Sequence, residues 1–231
     1  MISLAARTIA EEQMDAPDLP ADVYRQVLAD LAKVNRLIFS AFATLGFLKR
    51  AVGERRSFRL LDVGFGQGDM LRSIAAWAGK HGIAADLTGV DLNPNSEIMA
   101  REATDPALPI RYLTGDYRDQ AGGGYDFVIS SLVTHHMTPQ EIIDFLRFME
   151  REAAAGWLVN DLHRLRFSYI GFGILARLMG WHRIVREDGQ LSVARSFRAA
   201  DWHQFLAQAG LDGVAQVVRR FSFRLCVERI R

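Results

Sequence analysis

The stretch LLDVGFGQGDML, residues 60–71, limits what this chain can fold into more than any other. A short apolar run that reads as a buried strand meets an acid, then glycines at 64, 66 and 68, then the start of a helix. Glycines between a strand and a helix let the backbone turn sharply and approach a ligand closely. The spacing narrows the ligand. A dinucleotide loop of the form G-x-G-x-x-G would need its third glycine at 69, which is Asp69. The lysine of a phosphate-binding P-loop is absent as well. An acid beside a phosphate is unfavourable, whereas an acid at the loop suits a cationic ligand.

From Arg59 onward strands and helices alternate. Leu60–Val63, Leu87–Val90, Ile110–Leu113, Phe127–Ser130 and Trp157–Asn160 read as strands, separated by helical stretches at Met70–Ala78, Asn95–Arg101 and from Thr138 to about Ala154. Thr138-Pro139-Gln140-Glu141 is a capping box with proline at the first helical position. Ala199–Ala209 reads as a helix closed by Gly210, and Val214–Val218 with Phe221–Ile230 as a terminal antiparallel pair. Repeated strand–helix units predict an α/β fold, doubly wound, with a mostly parallel seven-stranded sheet covered on both faces. The ligand then sits beyond the carboxyl ends of the strands. Ahead of the sheet, Asp18-Leu19-Pro20 reads as a helix start, and Val23, Val27, Leu31, Val34, Ile38, Phe42 and Leu45 recur at steps of three or four, giving one or two N-terminal helices over 20–50. Residues 164–198 break the rhythm and read as an insertion. The expected division is an N-terminal helical cap over 1–57 and a main domain over 58–231 that carries the insertion as a lid.

Further acids join the loop. Asp91 ends the second strand in TGVDLNP, where a carboxylate can accept both hydroxyls of a ribose; Asp116 follows the third strand in YLTGDYRD, where it can meet the exocyclic amine of an adenine. The plainer alternatives are that Asp91 shapes a turn before Asn-Pro and that Asp116 caps a local loop. Asp62, Gly64, Gly66, Gly68, Asp91 and Asp116 occur in this order near the tips of three successive strands.

This constellation resembles the class I S-adenosylmethionine-dependent methyltransferases over roughly residues 58–231. The resemblance implies a Rossmann-like fold and S-adenosyl-L-methionine as cofactor. The glycine loop would hold its methionyl part, Asp91 its ribose and Asp116 its adenine. Leu92 and Tyr117 join the expected cofactor residues, as does Ser131 at the end of YDFVISSLVTHHM, which resembles the family's fourth strand. The segments EEQMDAPDLP, NDLHR and DGQLSVARSF are similar to a bacterial subgroup of methyltransferase-domain proteins often found near polyketide or flavoenzyme genes. That likeness implies a phenolic, quinone-like or polyketide acceptor.

The sulfonium methyl is already activated, so placing an acceptor in line behind it is the protein's main task. A base helps where the acceptor is a hydroxyl or an acidic carbon. His135 and His136 follow the fourth strand; Asp161 and His163 follow the fifth. We expect His136 or His163 as base, with Asp161 orienting the imidazole or anchoring the substrate. Those four residues lack a tight metal-ligand spacing, and no metal is expected. His81, His182 and His203 lie on or next to helices and need no functional explanation. Residues 164–181 are apolar with a few basic groups, as a roof over the site for an aromatic or lipid-tailed small molecule would be. Residues 182–197 offer spaced basic groups that would meet a carboxylated substrate, or else form a solvated loop.

Composition excludes other classes. With 28 basic and 27 acidic residues the net charge is +1, which argues against a nucleic-acid surface. An RNA or protein methyltransferase is further disfavoured because SSLVTHH stands where an Asn-Pro-Pro-aromatic motif would follow the fourth strand. A cofactor-binding partner or regulatory protein without catalysis is the remaining alternative. One cysteine, Cys226, rules out an internal disulfide framework and reads as a buried structural thiol. The N-terminus turns acidic too early for a secretion signal, and the uncharged run Leu37 to Leu48 is short of the ~20 residues a membrane span needs. A cytoplasmic protein is expected, as a monomer or a homodimer.

Overall fold

The computed structural model describes residues 4–15, 19–37, 41–221 and 223–231, so Asp18 and Ile38 of the expected N-terminal helix pattern lie outside the described residues. Seven strands form one sheet in the order β3-β2-β1-β4-β5-β7-β6. They are β1 (Ser57–Val63), β2 (Ala84–Asp91), β3 (Ile110–Thr114), β4 (Tyr125–Ser131), β5 (Ala153–Leu162), β6 (Gln216–Arg220) and β7 (Arg224–Ile230). β1 to β5 run parallel, and β7 lies antiparallel between β5 and β6. The chain leaves β1 toward β2 and β3 and returns to β4 on the other side. The gap between β1 and β4 is therefore the switch point at which such sheets bind ligands.

Alternation along the strands builds two cores. Phe58 and Leu60 of β1, with Phe127 and Ile129 of β4 and Leu158 of β5, bury against α2 (Ala41–Val52) and α3 (Asp69–Lys80). On the opposite face Leu61, Val63, Val128, Trp157 and Val159 bury against α5 (Pro139–Glu152) and α8 (Ala199–Ala209). The short α4 (Pro94–Glu102) starts at Asn93, whose side chain accepts from the Asn95 amide. The Thr138–Glu141 capping box forms as expected: the Thr138 hydroxyl accepts from the Glu141 amide and the Glu141 carboxylate from the Thr138 amide. Gly210 closes α8 in the left-handed conformation.

Residues 164–198 are two helices, α6 (Arg166–Leu178) and α7 (Arg183–Arg195). The basic stretch read as a substrate contact or a solvated loop is thus helical, opened by the His182 side chain accepting from the Ile184 amide. α1 (Ala21–Leu37) packs on these helices through a third core of Val27, Val34, Ala176, Trp181, Ile184 and Val185. The N-terminal region therefore divides: α1 joins α6 and α7 in a roof, while α2 belongs to the layer against the sheet. Among the described residues, no helix is long and apolar enough to cross a membrane.

Candidate active site

Three backbone features shape the loop after β1. Gly64 and Gly68 have φ of +76° and +75°, in the left-handed region that favours glycine. A Cβ at Gly64 would lie 2.3 Å from Val133 Cγ2, and one at Gly68 2.6 Å from the Tyr112 hydroxyl. The loop is also tied to β2. Asp91 Oδ2 accepts from the Gly66 amide at 2.9 Å, and Oδ1 accepts from the Asn93 amide at 2.9 Å. Burial raises the Asp91 pKa against the pull of these bonds. Gly89 was not singled out by the sequence reading, yet a Cβ there would meet the Phe65 ring at 2.6 Å, so its bareness seats the loop on β2.

Two adjoining cavities open here, with Gly64, Leu132 and His136 lining both. The first, of about 420 Å³, is lined by Asp91, Leu92, Asp116 and Tyr117 at the tips of β2 and β3. Asp116 accepts from the Arg118 amide at 2.8 Å and pairs with its guanidinium at 2.9 Å, so it does cap the short turn Tyr117–Gln120. Tyr117 packs edge-on against Phe145 and Phe148, with ring centroids 4.9 and 4.8 Å away. The second cavity, of about 230 Å³, lies under the roof; it takes Asp62, Asp69 and Ser131 from the sheet side, Leu31 and Val34 from α1, and Phe172 and Val193 from α6 and α7. Leu132, between the two, has φ of 61°, a strained conformation for a leucine.

Asp62 is fully buried, and neither carboxylate oxygen has a hydrogen-bond partner among the described residues. Burial, with the charges of Asp69 and Asp91 adding, pushes its pKa up to about 8. Such a group calls for a positive partner. The bare glycine cradle, this orphaned carboxylate and Asp69 at the first turn of α3 fit a donor that carries positive charge on sulfur and nitrogen.

Beside them lies a titratable cluster. Asp161 accepts from the Thr134 hydroxyl, from the His135 amide at 3.0 Å, from the Leu162 amide at 2.7 Å and from His135 Nδ1 at 2.8 Å. Burial pushes the Asp161 pKa up, but the His135 charge and these bonds outweigh it and hold the carboxyl well below its usual range. An ionised Asp161 can only accept, so Nδ1 carries the proton and Nε2 is the ring nitrogen left to accept. Nε2 lies 3.7 Å from Glu12 Oε1, and the more exposed His136 has its Nε2 4.0 Å from Glu12 Oε2. Asp161 is thus joined to His135 rather than to His136. His163 is buried but lines neither cavity; desolvation, then Arg219 and Arg198, lower its pKa.

Glu12 and its neighbours are held by α7, which no local pattern announces. Ser192 Oγ donates to Glu12 Oε1 at 2.8 Å, and the Asp188 carboxylate accepts from the Gln13 and Met14 amides at 3.1 and 2.9 Å. Arg7 and Arg195 both donate to the His135 carbonyl, at 2.8 and 3.2 Å. Glu12 of EEQMDAPDLP, Asp161 of NDLHR and Ser192 and Arg195 of DGQLSVARSF, far apart in the chain, therefore meet around His135. Among the described residues, Glu12, His135 and His136 place ligand-type atoms within 4.8 Å of one another. The Arg195 guanidinium, 4.0 Å from Glu12 Oε1, already brings positive charge there.

Comparison with known proteins agrees with this geometry. Residues 60–156 match the family model described as a methyltransferase domain. No curated protein matches the chain. Among solved structures, the plantazolicin methyltransferase BpumL, in complex with a pentazolic desmethylPZN analog and SAH, is 13% identical with a TM-score of 0.67, over 91% of this chain and 92% of that one. Magnesium protoporphyrin IX methyltransferase (ChlM) from Synechocystis PCC 6803 with bound SAM is 15% identical, TM-score 0.55, over 95% and 88%. PigF with SAH is 17% identical, TM-score 0.59, over 93% and 63%. The likeness to these structures is one of fold. Together with the matched segment, which is under half of the chain, it supports a likeness to the class I S-adenosylmethionine-dependent methyltransferases.

Proposed function

We propose that the chain transfers a methyl group from S-adenosylmethionine to a small, apolar or aromatic acceptor of the phenolic, quinone-like or polyketide kind. The observation that carries this reading is the pair of cavities sharing Gly64, Leu132 and His136: one is rimmed by the β2 and β3 acids, the other is largely apolar and ends at His135. Asp91 would take the ribose and Asp116 the adenine edge, with Leu92 and Tyr117 against the base. The glycine loop, Asp62 and Ser131 would surround the methionyl end. The cofactor supplies an electrophilic methyl. The chain's own residues position the acceptor, exclude water beneath the roof, and take up its proton. His135 Nε2, with Nδ1 fixed on Asp161, is the base we favour; His136 is second, and His163, which lines neither cavity, is third.

Radiolabelled S-adenosylmethionine offered with a panel of phenols and hydroquinones tests the reading. Transfer to at least one acceptor is expected. His135→Asn should slow turnover about 10²-fold or more with SAH affinity unchanged. Cofactor bound but never turned over with any acceptor would instead favour a regulatory or partner protein.

A further inference from the structure

Arg224 opens β7 and is 1% exposed, and its Nε, Nη1 and Nη2 all lack hydrogen-bond partners among the described residues. It contributes to the wall of the cavity that holds His135. A guanidinium stays charged in a protein, and a buried charge without a counter-ion is among the costliest features a fold can carry. The charges of Asp161 and Asp69 reach Arg224, but neither acid bonds it, and Asp161 is committed to Thr134, His135 and Leu162. The other arginines around this cavity are spent: Arg195 donates to the His135 and Ala10 carbonyls, and Arg7 to the His135, Met137 and Arg195 carbonyls. Of the basic residues of 182–197, Arg195 is thus not left for a carboxylated substrate.

We infer that Arg224 receives a carboxylate of the acceptor, so that the acceptor is an apolar or aromatic acid anchored by its anionic end. This rests on the methyltransferase reading above. Arg224 shares its cavity with Asp62, Gly66 and Ser131, which would surround the cofactor's methionyl end, but it enters from a strand further along the sheet. β7 lies three strands from β1 in the order β1-β4-β5-β7, or roughly 14 Å at ~4.8 Å per strand, whereas the glycine loop, Asp91 and Asp116 lie at the tips of β1, β2 and β3. Arg224 pairs in register with Leu162, which also lines the cavity, next to the Asp161 that holds His135. The planar fork of three unoccupied nitrogens matches a carboxylate bidentately. Leu31, Val34, Phe172 and Val193 would cover the rest of the molecule.

The test is calorimetry of 2-naphthoate and its neutral near-isostere 2-naphthamide against the protein saturated with SAH. Wild type should bind the acid about tenfold more tightly than the amide. R224M should abolish that preference and leave SAH affinity unchanged; R224K, which keeps the charge without the fork, should narrow it, and is read alone if R224M does not fold. Equal binding of the two probes, or binding of neither, overturns the inference while SAH binding leaves the methyltransferase reading standing. It is also overturned if R224M loses affinity for SAH but not for 5′-methylthioadenosine, since Arg224 would then hold the cofactor's own carboxylate. Absence of SAH binding in wild type would sink the underlying reading instead.

Discussion

Asp62 continues the face of β1 on which Phe58 and Leu60 are buried, so alternation drives a carboxyl into the interior at the strand's end. With a folded-state pKa of about 8 against an ordinary value of 3.8, the folded chain keeps a proton that the unfolded chain has lost between those two values. Stability in the ligand-free protein therefore falls as pH rises from about 4 to about 8. Asp62→Asn should remove that slope: its melting temperature should equal wild type near pH 4 and exceed it by several degrees at pH 9. The positively charged donor should stabilise wild type more than the variant at pH 9, because ionised Asp62 then has its partner. Melting curves across pH, with and without S-adenosylmethionine, check both; parallel curves for the two proteins would contradict the assignment. Cys226 behaves differently. Its thiol is buried and pushed up to about 12, which makes it inert packing as its alternating context suggests.

At the scale of elements, α7 is defined by what it holds. Asp188, Ser192 and Arg195 lie on one face at helical spacing, and all three bind the segment around Glu12. Asp188→Asn would turn an amide donor toward one of two backbone N–H groups. That change should release the segment, raise the acceptor KM several-fold and speed proteolysis near residues 11–20, with SAH affinity unchanged. Limited proteolysis and steady-state kinetics measure it; an unaltered cleavage pattern would show that α7 is not what docks the segment. Local rules made much of this architecture legible. The strand–glycine–helix unit, the Thr138 cap and the Gly210 stop each depend on neighbours within a few residues. Glu12 was not legible, because its partner Ser192 is 180 residues away. Nor was the choice between two adjacent histidines, since the short turn Thr134–His136 decides which ring meets Asp161. Arg224 was hidden for a related reason: on an alternating strand an arginine is expected to bond an acid, and only the assembled wall shows that, among the described residues, none accepts from it.

Over the whole molecule, three cores divide the work. Two lie on either face of the sheet and fix the strand tips that line the 420 Å³ cavity. The third joins α1 to α6 and α7, and the smaller cavity lies between it and the sheet. A unit with its own small core, bridging a cavity rather than packing flat on the sheet, has fewer buried contacts to lose when it opens. Such independence suits an enzyme that must admit an acceptor under the roof while the cofactor half stays assembled. Amide exchange should therefore be faster in α1, α6 and α7 than in β1, β4 and β5, where pairing on both sides and burial on both faces protect the backbone. SAH should add most protection around Gly64 to Gly68 and Asp91, and an acceptor acid should add it to the roof. Uniform protection across roof and sheet, rising together with either ligand, would mean that the molecule opens as one unit and that acceptor entry follows another route.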